Sequence, residues 1–202
     1  MNNNITKAIN DLKQGKMIII ADDINRENEG DIVIAAEKIT EEAMTFMIKK
    51  ASGLVCISIT KDLAIKLKLP PMTIYNQESM RTAFTVSIDS RNGITTGISS
   101  ADRTKTILDT IKGSSDNLVS PGHMFPLISR DGGVLERRGH TEASVELTKM
   151  AGLTPAAVIC EILGDDGRML RGKDLEKFAK EHQLQLVHIE EIVEHLRGDN
   201  AI

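Results

Sequence analysis

Apolar residues recur along this chain in two rhythms: short near-continuous runs, and stretches in which every third or fourth position is apolar. The runs read as buried strands and the spaced stretches as amphipathic helices. Residues 5–14 have helical spacing and stop at Gly15, which suits the left-handed position after a helix. Residues 17–21 and 31–36 read as strands. Thr40, followed by Glu41 and Glu42, caps a helix running to about residue 51, with its carboxylates at the positive end of the helix dipole. A strand over 54–59 precedes a helix over 61–69 that Pro70-Pro71 must end. Residues 82–88 alternate as a strand does and lead to an Asn92-Gly93 turn. Ser99 or Ser100 caps a helix over 101–112; residues 113–121 read as a loop, 123–128 as a strand and 131–133 as a turn. A helix over 141–150 with Thr141 as its cap, a strand over 156–163 and a turn at 165–167 follow. A helix (173–182), a strand (184–189) and a helix ending near Arg197 close the pattern. Helices and strands interleave without repeats or long linkers. This predicts a single α/β domain over residues 1–202, a mixed sheet with helices packed around it, whose strand order the pattern does not define.

Composition narrows the class. The 202 residues, 41% hydrophobic and 27% charged, suit one soluble domain with a real core. With four Phe, one Tyr and no Trp, that core must be aliphatic, and the scarcity argues against single-stranded nucleic-acid binding, which relies on aromatic stacking. A net charge of −4 gives no basic field for a duplex, so no nucleic-acid partner is expected. The two cysteines, Cys56 and Cys160, lie in apolar runs outside any Cys-x-x-Cys pair. They read as buried free thiols of a reducing compartment, not as zinc ligands. The N-terminus has no basic segment leading into an apolar one, and no window approaches the roughly 18 apolar residues of a membrane helix. A cytoplasmic protein with no membrane partner is expected.

Candidate chemistry falls in four places. Five carboxylates (Asp22, Asp23, Glu27, Glu29 and Asp31) follow the first strand within ten residues, with Arg26 the only base among them. Such density is unfavourable unless a divalent cation or acid–base chemistry answers it; a solvated acidic turn is the plain alternative. Glu27 and Glu29, two apart, share a face of an extended segment and suit a hard cation such as Mg²⁺. The second place is Arg137-Arg138-Gly139-His140-Thr141-Glu142. Two guanidinium groups and a glycine at a helix start can cradle a phosphate monoester, although an ordinary capped helix would look the same. Third, Glu161 ends a near-continuous apolar run, which is costly unless it is paired, functional or on an edge strand facing water. Fourth, His123 is a candidate general base or a structural histidine; His182, His188 and His195 read as structural. Together these groups equip a site for enolising and rearranging a sugar phosphate. An isomerase or aldolase without carbon loss, and a non-catalytic phosphometabolite-binding module, remain open alternatives.

At these residues the chain resembles the 3,4-dihydroxy-2-butanone 4-phosphate synthase family of riboflavin biosynthesis. The resemblance is carried by residues 22–31, by 95–103, by 130–142 around Gly139-His140-Thr141-Glu142 and by Cys160-Glu161, in family order over about residues 5–197. It implies a lyase converting D-ribulose 5-phosphate to L-3,4-dihydroxy-2-butanone 4-phosphate and formate by metal-assisted enolisation, dehydration and skeletal rearrangement. It further implies Mg²⁺ or Mn²⁺, one or two ions per site, and a homodimer with active sites at the subunit interface. Carried onto matching positions, Glu27 and His140 hold the metal, and His123 and Glu161 are catalytic. Arg26, Glu27, Asp31, Arg137, Arg138, Gly139, His140, Thr141 and Glu161 contact the substrate, with 137–141 on its phosphate. Ile24 stands where the family commonly has another acid, and Arg138 where a small residue is frequent, so Arg138 is a candidate to point away. The family is often fused to GTP cyclohydrolase II, whose zinc site needs clustered cysteines; synthase activity alone is therefore expected.

Overall fold

A computed structural model describes residues 3–199; residues 1, 2 and 200–202 of the expected domain lie outside that range. The strands are β1 (Ile18–Ala21), β2 (Gly30–Ala35), β3 (Cys56–Ile59), β4 (Ile88–Ser90), β5 (Leu118–Ile128), β6 (Ala156–Glu161) and β7 (Gln185–His188). They form one mixed sheet in the order β4-β5-β3-β6-β2-β1-β7. The helices are α1 (Asn3–Lys13), α2 (Glu41–Phe46), α3 (Lys61–Lys66), α4 (Ser100–Ile111), α5 (Gly133–Glu136), α6 (His140–Met150), α7 (Gly172–Glu181) and α8 (Ile189–Asp199). This is the mixed α/β single domain expected from the interleaved pattern. None of these helices is long and apolar enough to cross a membrane.

The central strands are apolar except for Asp31, Ser58 and Glu161, because both faces are covered. Ile19, Ile32, Ile34, Ile57, Val158 and Cys160 face one layer, with α2, α4 and α7. Their neighbours Ile18, Ile20, Val33, Cys56, Ala157 and Ile159 face the other, with α1, α6 and α8. The alternation has the period of two that a pleated strand imposes. Cys56 and Cys160 are free and buried. Burial, with Glu161 and Asp31 adding to it, pushes both thiols up, Cys160 to about 12, which leaves them protonated and inert.

Three local expectations are corrected. Residues 82–88 are no strand, apart from Ile88 at the start of β4; the segment from Pro70 makes only isolated bridges, Pro71 to Thr85 and Phe84 to Leu127. The Glu78 carboxylate competes for its backbone by accepting from Met80 N (2.7 Å) and Thr82 N (2.7 Å), which folds 76–82 into a loop. Although burial works the other way, these bonds hold Glu78 at about 2. The expected loop at 113–121 is shorter, because β5 already begins at Leu118. Its first half pairs with short β4, and Pro121 is tolerated there because that half lies toward the sheet edge. The turn at 131–133 runs on into the one-turn helix α5.

The loop before α4 is fastened by Asp102. Its carboxylate accepts from Thr95 N (3.0 Å), Thr95 Oγ1 (2.7 Å) and Gly97 N (3.0 Å), while Ser99 Oγ caps Asp102 N (3.1 Å). The Thr95 side chain first, then the backbone donors, hold Asp102 at about 2 against an ordinary 3.8. A depressed carboxyl contributes stability that is full above its unfolded value and is lost as pH falls through the folded one. Asp102→Asn should therefore remove part of the acid sensitivity between about pH 4 and pH 2. Urea midpoints followed against pH should fall less steeply in the variant; parallel curves would contradict this.

Candidate active site

The acidic segment leaves β1 at Ala21 and turns back into β2 at Gly30. Asp22 organises the turn from inside. Its fully buried carboxylate accepts from Arg26 Nη1 (2.7 Å), Glu27 N (3.1 Å) and Glu29 N (2.8 Å). Asp23 Oδ1 accepts from Asn25 N (2.7 Å), and Asn28 takes the left-handed φ of 54° that asparagine tolerates. Arg26 Nη1 also pairs with Glu27. Glu29 binds Arg171 Nη2 at 2.6 Å, and burial pushes its carboxyl up against that pairing. The cluster is thus a folded, internally bonded loop and not a solvated turn.

Sheet register supplies the next two acids. β2 and β6 are antiparallel, with Asp31 directly opposite Glu161, so the two side chains share a face about 5 Å apart at Cβ. β6 lies between β3 and β2, which rules out the edge-strand reading of Glu161. Glu161 Oε2 accepts from Leu54 N at 2.8 Å. Gly53 permits that approach: a Cβ there would stand 2.4 Å from Glu161 O and 2.6 Å from Oε2. Burial first, then Glu161, Glu27, Asp22 and Glu29, push the Asp31 carboxyl well above its ordinary value.

His140 opens α6 beneath these acids. Its Nδ1 lies 3.9 Å from both Glu27 Oε2 and Asp31 Oδ1. Burial pushes the imidazole down, toward the neutral form that binds metals. Among the described residues, Asp31 Oδ1 and His140 Nε2 are buried with no hydrogen-bond partner. Orphaned groups of this kind point to a missing ligand. One donor atom each from Asp22, Glu27 and His140 lies within 4.8 Å of the others. Carboxylate oxygens and a neutral imidazole fit a divalent cation.

The phosphate cradle differs in detail from the sequence expectation. The cap of α6 is Gly139, not Thr141; a glycine offers no side-chain acceptor, so the first N–H groups of the helix remain available to an anion. Arg137 is held by Glu142 Oε2 (2.6 Å), Thr82 Oγ1 (3.0 Å) and Met80 O (3.2 Å). A Cβ at residue 139 would stand 2.1 Å from Arg137 Nη1, so only glycine lets the guanidinium lie there.

These elements enclose a cavity of about 210 Å³. Arg26, Glu27, Asp31, Arg137, His140, Thr141 and Glu161 all line it, above an apolar floor that includes Cys56, Leu127 and Ile159. Larger grooves exist, one of about 880 Å³ beside α1 and α7, but their charges are those of surface side chains. Three expected residues do not line the cavity: Gly139, which instead leaves room for the Arg137 guanidinium, and two that stand apart from the wall. Arg138 pairs with Glu190 and lines a separate groove with Ile24 and His188. His123, on β5, is 43% exposed and bonded to Asp89. The sequence reading gave Glu142, Thr82 and Glu78 no role, although Glu142 fixes Arg137 and the other two form the rim. It placed Asp22 only as a supporting acid; a carboxylate at the last buried position before a turn, followed by Asp23-x-Asn25, was the available signal.

Known proteins resemble this chain along nearly its whole length. The family model for 3,4-dihydroxy-2-butanone 4-phosphate synthase matches residues 6–195. The riboflavin biosynthesis protein RibBA of Aquifex aeolicus is 51% identical over 99% of this chain and 50% of its own length. The 3,4-dihydroxy-2-butanone 4-phosphate synthase of Chromobacterium violaceum is 45% identical over 96% of this chain and 93% of its own. A crystal structure of a 3,4-dihydroxy-2-butanone 4-phosphate synthase in complex with two magnesium ions superposes with a TM-score of 0.91. It is 39% identical, and 96% of each chain is covered. The chain spans about half the length of the RibBA relatives. With the family model covering nearly its whole length, the chain belongs to the 3,4-dihydroxy-2-butanone 4-phosphate synthase family.

Proposed function

We propose that this chain converts D-ribulose 5-phosphate to L-3,4-dihydroxy-2-butanone 4-phosphate and formate, using Mg²⁺ or Mn²⁺. The observation that carries the reading is the convergence of Glu27, Asp31, His140 and Glu161 with Arg137 and Thr141 in one cavity. Glu27 and His140 would hold the cation, with Asp22 adjoining them. When bound, it polarises the ketose oxygens and makes the neighbouring C–H acidic. The open start of α6, Thr141 and Arg137 receive the phosphate, and Arg26 reaches the same cavity from the acidic loop. Asp31, whose raised pKa favours the protonated form, can donate to a substrate hydroxyl, while Glu161 opposite can take a proton. The water lost in dehydration is regained when C4 leaves as formate, so no oxidant is required.

His123 lies outside the cavity wall of its own chain, which supports a homodimer whose interface brings His123 from one protomer to the cavity of the other. The protonated, buried thiols suit a reducing cytoplasm. Residues 1–202 form one synthase domain in this reading. They lack the clustered cysteines that GTP cyclohydrolase II activity needs, so we assign them the synthase reaction alone. A coupled assay of purified protein with D-ribulose 5-phosphate and Mg²⁺ should release formate; folded protein that releases none would exclude the activity. Gly139→Ala should displace Arg137 and lower kcat/KM roughly 100-fold. Steady-state kinetics that match native protein would show that the close approach is dispensable.

A further inference from the structure

We propose that Asp89 is the positioning residue of His123, fixing the imidazole tautomer that acts as a base. The inference rests on the synthase reading, in which His123 is catalytic. Asp89 is buried, 6% exposed, at the point where β4 slips register against β5. The register passes from Ile88–Met124 to Asp89–Val119, so residues 120–123 bulge out of β5, and such a bulge re-aims a side chain, here His123 beside Asp89. Asp89 Oδ1 accepts from His123 N at 2.9 Å, and Oδ2 lies 2.7 Å from His123 Nδ1. A carboxylate only accepts, so in the neutral ring the proton sits on Nδ1 and Nε2 is the nitrogen with the lone pair. The ring is held from the backbone and from one nitrogen, with its other nitrogen free to meet a substrate.

The surroundings are built to keep this pair. Gly97 lies over it with φ 96°, and a Cβ at that position would stand 2.3 Å from Asp89 Oδ2 and 2.5 Å from His123 Nδ1. Gly122 brings the strands together, since its Cβ would stand 2.3 Å from Asp89 N. Asp102, through Thr95 and Gly97 N, pins the covering loop. An exposed structural histidine needs none of this. A general base needs its accepting nitrogen aimed at the substrate, and the arrangement fixes which nitrogen that is.

The test uses the full-length protein with ¹⁵N-labelled histidine. His123 signals are assigned by their loss in His123→Gln. At a pH where the ring is neutral, the native protein should show protonated Nδ1 and bare Nε2, and Asp89→Asn should move the proton to Nε2. In the same variant kcat for formate release should fall about 100-fold or more, with KM and the Mg²⁺ concentration giving half-maximal rate within about twofold of native. A neutral native ring protonated on Nε2 overturns the proposal, and so does an Asp89→Asn enzyme with native kcat. The tautomer is read from native protein without substrate, so it decides the proposal even if Asp89→Asn fails to fold. A native protein that releases no formate, by contrast, would overturn the synthase reading.

Discussion

Glu161→Gln is expected to lower the rate of formate release by about 10³-fold while leaving the fold intact. Glutamine keeps the volume and the oxygen that accepts from Leu54 N, so β6 and its neighbours lose no packing. It cannot take a proton. The same change should raise stability at neutral pH. Asp31 has a folded pKa well above its ordinary value, with Glu161 the largest cause after burial. A carboxyl raised on folding is destabilising above its unfolded pKa: stability declines as pH rises from that value through the folded one, and the loss is then complete. Removing the Glu161 charge relieves Asp31, so the variant should unfold at a higher temperature than native at pH 7, with the difference closing below about pH 4. Activity loss with a gain in thermal midpoint is the signature of a group kept for chemistry. Loss of both would mean that Glu161 is structural.

Glu27→Gln should abolish the stabilisation that a divalent cation gives. Mg²⁺ at about 100 times its Kd should stabilise native protein by about 2.7 kcal/mol, or roughly 5–10 °C in thermal midpoint. Glu27, His140 and Asp22 offer the ligand atoms, and the orphaned Asp31 Oδ1 lies beside them. Without the Glu27 charge the site keeps the imidazole and an Asp22 carboxylate already committed to three donors. The midpoint of Glu27→Gln should therefore not respond to Mg²⁺, and formate release should fall to background. Glu29→Gln is the contrast. Its carboxylate is bound by Arg171, so the response to Mg²⁺ should survive. An unchanged response in Glu27→Gln, measured by calorimetry, would place the cation elsewhere.

Elements built on strong local signals were legible in the sequence. The apolar runs at 18–20, 56–59 and 156–160 became strands because both faces of each are covered, and Thr40 and Ser99 cap helices through their side chains. The strand order was not legible, since it depends on pairings such as Asp31 with Glu161 that lie far apart along the chain. Residues 82–88 misled for a physical reason: alternation there competes with Glu78, which gathers the preceding backbone N–H groups into a loop. Within the site, Glu27, Asp31, Arg137, His140 and Glu161 were legible because acids and guanidinium groups at element ends need an explanation. Glu142 and Asp89 were not. Their importance comes from what they touch, Arg137 in one case and His123 in the other.

The proposed reaction cuts and rejoins the substrate skeleton, and the fate of one carbon tests that most directly. D-ribulose 5-phosphate labelled with ¹³C at C4 should be incubated with the protein and Mg²⁺ and followed by NMR. The label should appear in formate, in step with an unlabelled four-carbon phosphate. Label retained in a five-carbon or four-carbon phosphate would contradict the proposed rearrangement.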